Sequence, residues 1–295
     1  MAKMTGKRAM IERLLRTNFS ASQPMHALGD YAAKTLKYKR VAAIAMDNNF
    51  GYEGIGGFQR VNVGASASAS TGFRERLRFT RALLAGERAS LDGTATQLPA
   101  LARRVPVYAA ASGPNALRTA GAVADGAFVN YGLQAEHVAR ARALIADGAA
   151  ETGRGPDEVD LWWIAGLDVS ERREAALDKL GNILGFVAAY VLGPAPAARG
   201  VPAELIPAIR EMRAAYTTRR AEMDPALVKR LGLFDYLRRR LAVAGTPDDC
   251  VLQVRAALAA GATRLMFSVS LAADPVRTVE LFGKHVLPAV TGTTR

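Results

Sequence analysis

The segment 105–117 constrains the chain most. Val105-Pro106-Val107-Tyr108-Ala109-Ala110-Ala111 is a short apolar run and reads as a buried strand. Ser112-Gly113-Pro114 then turns it directly into a helix. Pro114 suits the first helical position, where its missing amide hydrogen costs nothing. Other runs repeat the pattern. Strands are expected at 40–46, weakly near 61–63, and at 126–130, 159–169 and 263–269. Helical spacing covers 73–85, 135–146, 171–191, 203–217, 225–242, 247–260 and a last helix from Pro275. The segment 193–202, rich in Pro and Gly, reads as a surface excursion. This alternation argues for a parallel α/β sheet or barrel. About six strands are visible, and a closed barrel needs eight. The expectation is a (β/α)8 TIM-barrel-like fold, incomplete on its N-terminal side, with an inserted helical region. An unclosed barrel exposes sheet edges, so a homo-oligomer is expected.

Composition removes several function classes. The net charge of +12 would suit polyanions. The arginines are nevertheless scattered over helices that also carry Glu and Asp, and no aromatics interleave with them to stack bases. Runs such as Arg238-Arg239-Arg240 read as solvated helix faces, and no nucleic-acid partner is expected. The single cysteine, Cys250, forms no internal disulfide and reads as buried and structural. Three histidines (His26, His137 and His285) make a His-based metal site unexpected. The start of the chain lacks a secretory apolar core, and no stretch is apolar for long enough to span a membrane. A cytoplasmic protein with no membrane partner is expected.

The turn at 111–114 has the makings of a phosphate cradle. Gly113 lets backbone approach an anion, Ser112 offers a hydroxyl, and the amides and dipole of a helix start favour negative charge. The plain alternative is an ordinary strand-to-helix turn. Elsewhere, Asp47 and Asp125-Gly126 read as turn formers. Trp162 and Trp163 alternate across a strand, so at least one belongs to the core. Glu136 and His137 are neighbours on a helix and do not read as a catalytic pair.

Four ordered motifs carry a resemblance. They are 105–117 with Ala120-Gly121-Ala122-Val123-Ala124-Asp125-Gly126; Gly72-Phe73-Arg74-Glu75-Arg76-Leu77 through Glu87; Ala244-Gly245-Thr246-Pro247-Asp248-Asp249-Cys250; and Asp274-Pro275 to Pro288. Over about 62–292 the chain resembles the luciferase-like monooxygenase superfamily, in the branch that includes methylenetetrahydromethanopterin reductase. The resemblance implies a β/α barrel and hydride transfer to or from an unidentified small organic substrate. The implied coenzyme is F-420, with FMN as the alternative. By motif match, Ala111, Ser112 and Gly113 would hold the coenzyme phosphate. Ala65, Ser66 and Ala67 would lie near the coenzyme, and Asn130 would face the same mouth. The catalytic acid and base are not assigned.

The front differs. Within 16–60, Arg16-Thr17-Asn18-Phe19-Ser20, Gly29-Asp30-Tyr31-Ala32, Asn49-Phe50-Gly51-Tyr52-Glu53 and Gly56-Gly57-Phe58-Gln59-Arg60 resemble a fragment of a periplasmic branched-chain amino-acid-binding protein. Three parts follow: a basic segment 1–15, the fragment 16–61 and the oxidoreductase domain 62–295; the plain alternative is one atypical barrel whose first strands have drifted. Two other readings stand beside the enzyme: an amino-acid-type ligand-binding module, or a non-catalytic fusion remnant.

Overall fold

The structure is a computed structural model that describes residues 72–91, 93–99, 104–178, 180–192, 195–215, 225–269 and 272–292. The chain divides into two compact units, 1–72 with 91–94 and 73–90 with 95–295. The first unit lies almost wholly outside the described residues. So do the fragment 16–60, the strands expected at 40–46 and 61–63, and the candidate segment Ala65-Ser66-Ala67.

In the second unit, α1 (Phe73–Leu84) precedes β1 (Tyr108–Ala111), α2 (Pro114–Val123), β2 (Gly126–Val129), α3 (Ala135–Ala150) and β3 (Asp160–Val169). Next come α4 (Arg173–Asp178), α5 (Leu180–Val191), α6 (Ile206–Ala215), α7 (Pro225–Arg230) and α8 (Phe234–Leu241). β4 (Ala242–Gly245), α9 (Pro247–Ala259), β5 (Leu265–Ser268), α10 (Pro275–Leu281) and α11 (Leu287–Thr291) complete it.

All strand pairs in the main sheet are parallel. β1 runs beside β2 from Tyr108↔Gly126 to Ala111↔Val129, and β2 beside β3 from Gly126↔Asp160 to Val129↔Trp163. The long strand β3 organises the rest. It pairs with β5 from Trp163↔Leu265 to Gly166↔Ser268, and with β4 from Gly166↔Ala242 to Val169↔Gly245. The Asp160 amide donates to the Asp125 carbonyl, and the Ser170 amide to that of Gly245. These amides are an even number of residues apart, so they point the same way. β2 and β4 therefore follow one another along one edge of β3. The Trp163 amide points to the other edge and donates to the Arg264 carbonyl beside β5. This is the parallel α/β architecture the alternation predicts.

Local differences have local causes. β1 starts at Tyr108 rather than 105, because Pro106 has no amide hydrogen and the Asp125 carboxylate takes the Val107 amide at 2.8 Å. Asp125 is thus more than a turn former; it also holds Arg81 and Arg104. The helix expected over 225–242 is two helices and a strand. The left-handed residue Gly232 (φ +66°) separates α7 from α8, and β4 follows at once. Ala-Val-Ala-Gly is too short and too small-sided to signal a strand.

Two apolar clusters form. One packs the sheet against α2, α3, α9 and α10, with Trp163, Leu117 and Ile145 at its centre. The other joins β4 to the inserted helices through Leu184, Ile209, Met212, Val228, Leu233 and Leu237. α2 and α3 cross closely. A Cβ at Gly121 would lie 2.0 Å from the Ile145 carbonyl oxygen, and one at Gly148 1.9 Å from that of Arg118. Backbone cannot yield locally, so a methyl group must force the helices apart. Gly148→Ala is expected to cost about 2–3 kcal/mol, or some 5–10 °C in thermal midpoint. Gly283→Ala, where a Cβ would meet nothing within 4 Å, is the control. Equal midpoints for the two variants would contradict the close crossing.

Candidate functional site at the end of β1

The turn sits where the sequence places it. Ala111 is the last, buried residue of β1, Ser112 is half-buried, and Gly113 is the N-cap of α2 with Pro114 at the first helical position. No side chain caps the helix. The amides of Asn115 and Ala116 therefore have no partner within it. The Asn130 amide, one residue past β2, donates to the Ala111 carbonyl at 2.9 Å. Ala111, Ser112, Gly113 and Asn130 thus come together at the C-terminal ends of two neighbouring strands. That is the end of a β/α barrel where ligand sites lie.

The space above Gly113 is not empty. A Cβ there would lie 2.8 Å from a terminal nitrogen of Arg199. The Gly113 backbone (φ −139°, ψ 162°) is ordinary and extended. Its missing side chain therefore serves to admit the guanidinium. Arg199 donates to the Ser112 carbonyl at 3.1 Å and to the Val191 carbonyl. It belongs to the described part of the excursion, 195–202, in which Ala195, Ala197 and Ala198 are exposed while Val201 is 6% exposed and Arg199 is half-buried.

A second arginine fixes that excursion. Arg240, expected on a solvated face, is 0% exposed. The spacing explains the correction: Leu237, Arg240 and Leu241 share the buried face of α8. The Arg240 guanidinium donates to the carbonyls of Tyr131 (3.0 Å), Arg199 (2.5 Å) and Gly200 (3.4 Å) and to the Tyr236 hydroxyl (2.5 Å). All these acceptors are neutral, and the exposed carboxylate of Glu136 adds attraction at longer range. Arg140 donates to the Ala198 carbonyl of the same excursion.

Two buried polar atoms beside these arginines lack hydrogen-bond partners: the Tyr131 hydroxyl and Nδ1 of His137. Tyr131 is fully buried, with its ring 5.3 Å from the Arg240 guanidinium. Orphaned buried polar atoms are rare and point to an absent partner. An open helix start beneath the Arg199 guanidinium, with an orphaned hydroxyl on the neighbouring strand exit, fits a phosphate group. Sequence reasoning missed Arg199, Arg240, Tyr131 and His137. Only the spacing around Arg240 carried a signal. Arg199 sits in Pro-Ala-Ala-Arg-Gly, where nothing announces burial.

His137 lies 3.7 Å from Glu136, nearer than expected for helix neighbours. Glu136 is well exposed, so the pair is not a shielded acid–base couple. Burial and the Arg240 charge push the His137 imidazole down to about 4. Cys250 is buried and free as expected, its thiol pushed up to about 12 by burial. Among the described residues, no group of three metal-ligating side chains occurs, and no helix is long and apolar enough to cross a membrane.

The His137 shift has a pH consequence. The unfolded imidazole, with an ordinary pKa near 6.5, takes a proton before the folded one does. Between pH 6.5 and 4 the unfolded chain holds more protons, so stability is lost as pH falls through that window. At pH 4.5 the loss relative to pH 7 is roughly 2.5 kcal/mol. His137→Gln cannot titrate and should lose that much less over the same range, measured by denaturant unfolding. A variant as pH-sensitive as the wild type would contradict the assignment.

The Luciferase-like monooxygenase family pattern matches residues 55–264. A 5,10-methylenetetrahydromethanopterin reductase from Methanolobus tindarius is 25% identical over 228 residues, 72% of this chain and 65% of its own. A coenzyme F-420-dependent glucose-6-phosphate dehydrogenase from Beutenbergia cavernae is 40% identical over 96 residues, 30% of this chain and 29% of its own. The solved coenzyme F-420-dependent tetrahydromethanopterin reductase from Methanopyrus kandleri superposes with a TM-score of 0.56 at 25% identity, covering 76% of this chain and 64% of that one. This chain thus spans less than two thirds of the reductases it matches. With its fold of the luciferase-like TIM-barrel type and with 55–264 matched, the chain belongs to the luciferase-like monooxygenase family.

Proposed function

We propose that this chain is an oxidoreductase that transfers a hydride between a bound coenzyme, F-420 or alternatively FMN, and a small organic substrate. The observation that carries the reading is the open N-terminus of α2 beneath Arg199, with the orphaned Tyr131 hydroxyl on the exit of the neighbouring strand. The two relatives named above as F-420-dependent support F-420 over FMN.

Each coenzyme carries a phosphate group, and a helix start favours negative charge. The amides of Asn115 and Ala116 would hold that phosphate, with Ala111, Ser112 and Gly113 shaping the floor. Asn130 lies next along the mouth. When bound, the coenzyme ring supplies the hydride chemistry, and the protein supplies orientation and electrostatics. The residues of 65–67 remain part of the proposal through their family motif alone. The expected self-association belongs to it too, and light scattering that shows only monomer would remove it.

The direct check is a fluorescence titration with F-420 and with FMN. Binding of at least one at micromolar concentration is expected, and silence from both would sink the reading. Gly113→Val should weaken that binding at least about tenfold, the cost of one lost charge-assisted contact. The fold should survive, because a Cβ at Gly113 meets only the movable end of Arg199. Unchanged affinity would mean that the phosphate lies elsewhere.

A further inference from the structure

We infer that Arg199 is the specificity-determining residue of the cradle: a guanidinium, brought by the inserted region rather than by the barrel, that recognises the coenzyme's phosphate. This rests on the reading of a phosphate-bearing coenzyme, but its geometry stands apart from the family motif. Arg199 lies on a short 3-10 turn, Ala197–Arg199, between two elements of the helical insertion. One of its terminal nitrogens reaches over Gly113, the N-cap of α2. Two of its hydrogen bonds go to neutral carbonyls, Ser112 and Val191. A guanidinium gains more from a phosphate oxygen than from a carbonyl, because both partners are then charged and the planar fork matches the anion.

The surroundings point the same way. Arg199 loses solvent by burial and feels the repulsion of Arg213 and Arg240. On the strand exit that Arg240 ties to the Arg199 turn, the Tyr131 hydroxyl is fully buried and without a hydrogen-bond partner. Positive charge gathered over an open helix start, with an orphaned hydroxyl on the neighbouring strand exit, is completed by an anion with several acceptor oxygens. Arg240 supports this arrangement from behind. By donating to the carbonyls of Arg199, Gly200 and Tyr131, it holds the turn that carries Arg199 against the strand end that carries Tyr131. Arg240 is therefore a positioning residue, and Arg199 is the group that meets the ligand.

Inorganic phosphate tests this without any coenzyme. In wild-type protein, phosphate at about ten times its dissociation constant should raise the thermal midpoint by about 3 °C over sodium chloride of equal ionic strength. Arg199→Gln should abolish that rise, and Arg199→Lys, which keeps the charge but not the fork, should reduce it by at least about half. No rise in the wild type, or an equal rise in whichever variant folds, would overturn the inference. FMN and riboflavin, which differ only by the phosphate, separate recognition from scaffolding. Arg199→Gln should cost FMN at least about tenfold in affinity and riboflavin less than about twofold. Equal losses for both would make Arg199 structural and overturn the inference. If neither flavin nor F-420 binds while the phosphate rise persists and depends on Arg199, the coenzyme reading falls and the anion site stands.

Discussion

The site depends on one buried cation. Arg240 lies at 0% exposure with carbonyls and a tyrosine hydroxyl for acceptors. A buried ion is tolerated only when its donors are satisfied. Satisfying these donors draws three pieces of chain to one point: the exit of β2 at Tyr131, the turn at Arg199-Gly200 and α8 itself through Tyr236. None of these pieces is near another in sequence except Tyr236, one turn away on the same helix. The guanidinium therefore acts as a knot between the barrel strands and the inserted helices. Its charge also adds to burial in holding the His137 imidazole well below its ordinary pKa.

That knot turns a strand end into a site. A turn of Ser-Gly-Pro after a strand is common, and alone it means little. Here it sits beneath an arginine delivered from a different part of the chain, and the neighbouring strand exits at a buried hydroxyl with no hydrogen-bond partner. Gly113 links the two descriptions. Its backbone angles need no glycine, yet a side chain there would collide with Arg199. The motif and the insertion are thus fitted to each other.

Much of the barrel wall was legible in the sequence. β1, β2 and β3 announce themselves as apolar runs with abrupt ends, and Pro275 marks the start of α10. Ala111, Ser112, Gly113 and Asn130 meet because neighbouring parallel strands end together. What escaped was tertiary in origin. β4 is four small residues whose strand character comes from pairing with β3. The excursion around Arg199 reads as surface because Pro, Ala and Gly give no amphipathic signal. Arg240 hides in a triple-arginine run, and only its spacing from Leu237 betrays it. The orphaned Tyr131 hydroxyl has no sequence signature at all. The front of the chain, including 16–60 and 65–67, lies outside the described residues and adds nothing to this comparison.

A crystal structure of the protein with F-420 bound tests the central claim most directly. The account predicts the coenzyme phosphate at the N-terminus of α2, with Arg199 turned from the Ser112 carbonyl toward a phosphate oxygen and the Tyr131 hydroxyl hydrogen-bonded. A coenzyme phosphate bound elsewhere, with Arg199 still seated on Ser112 above Gly113, would contradict it.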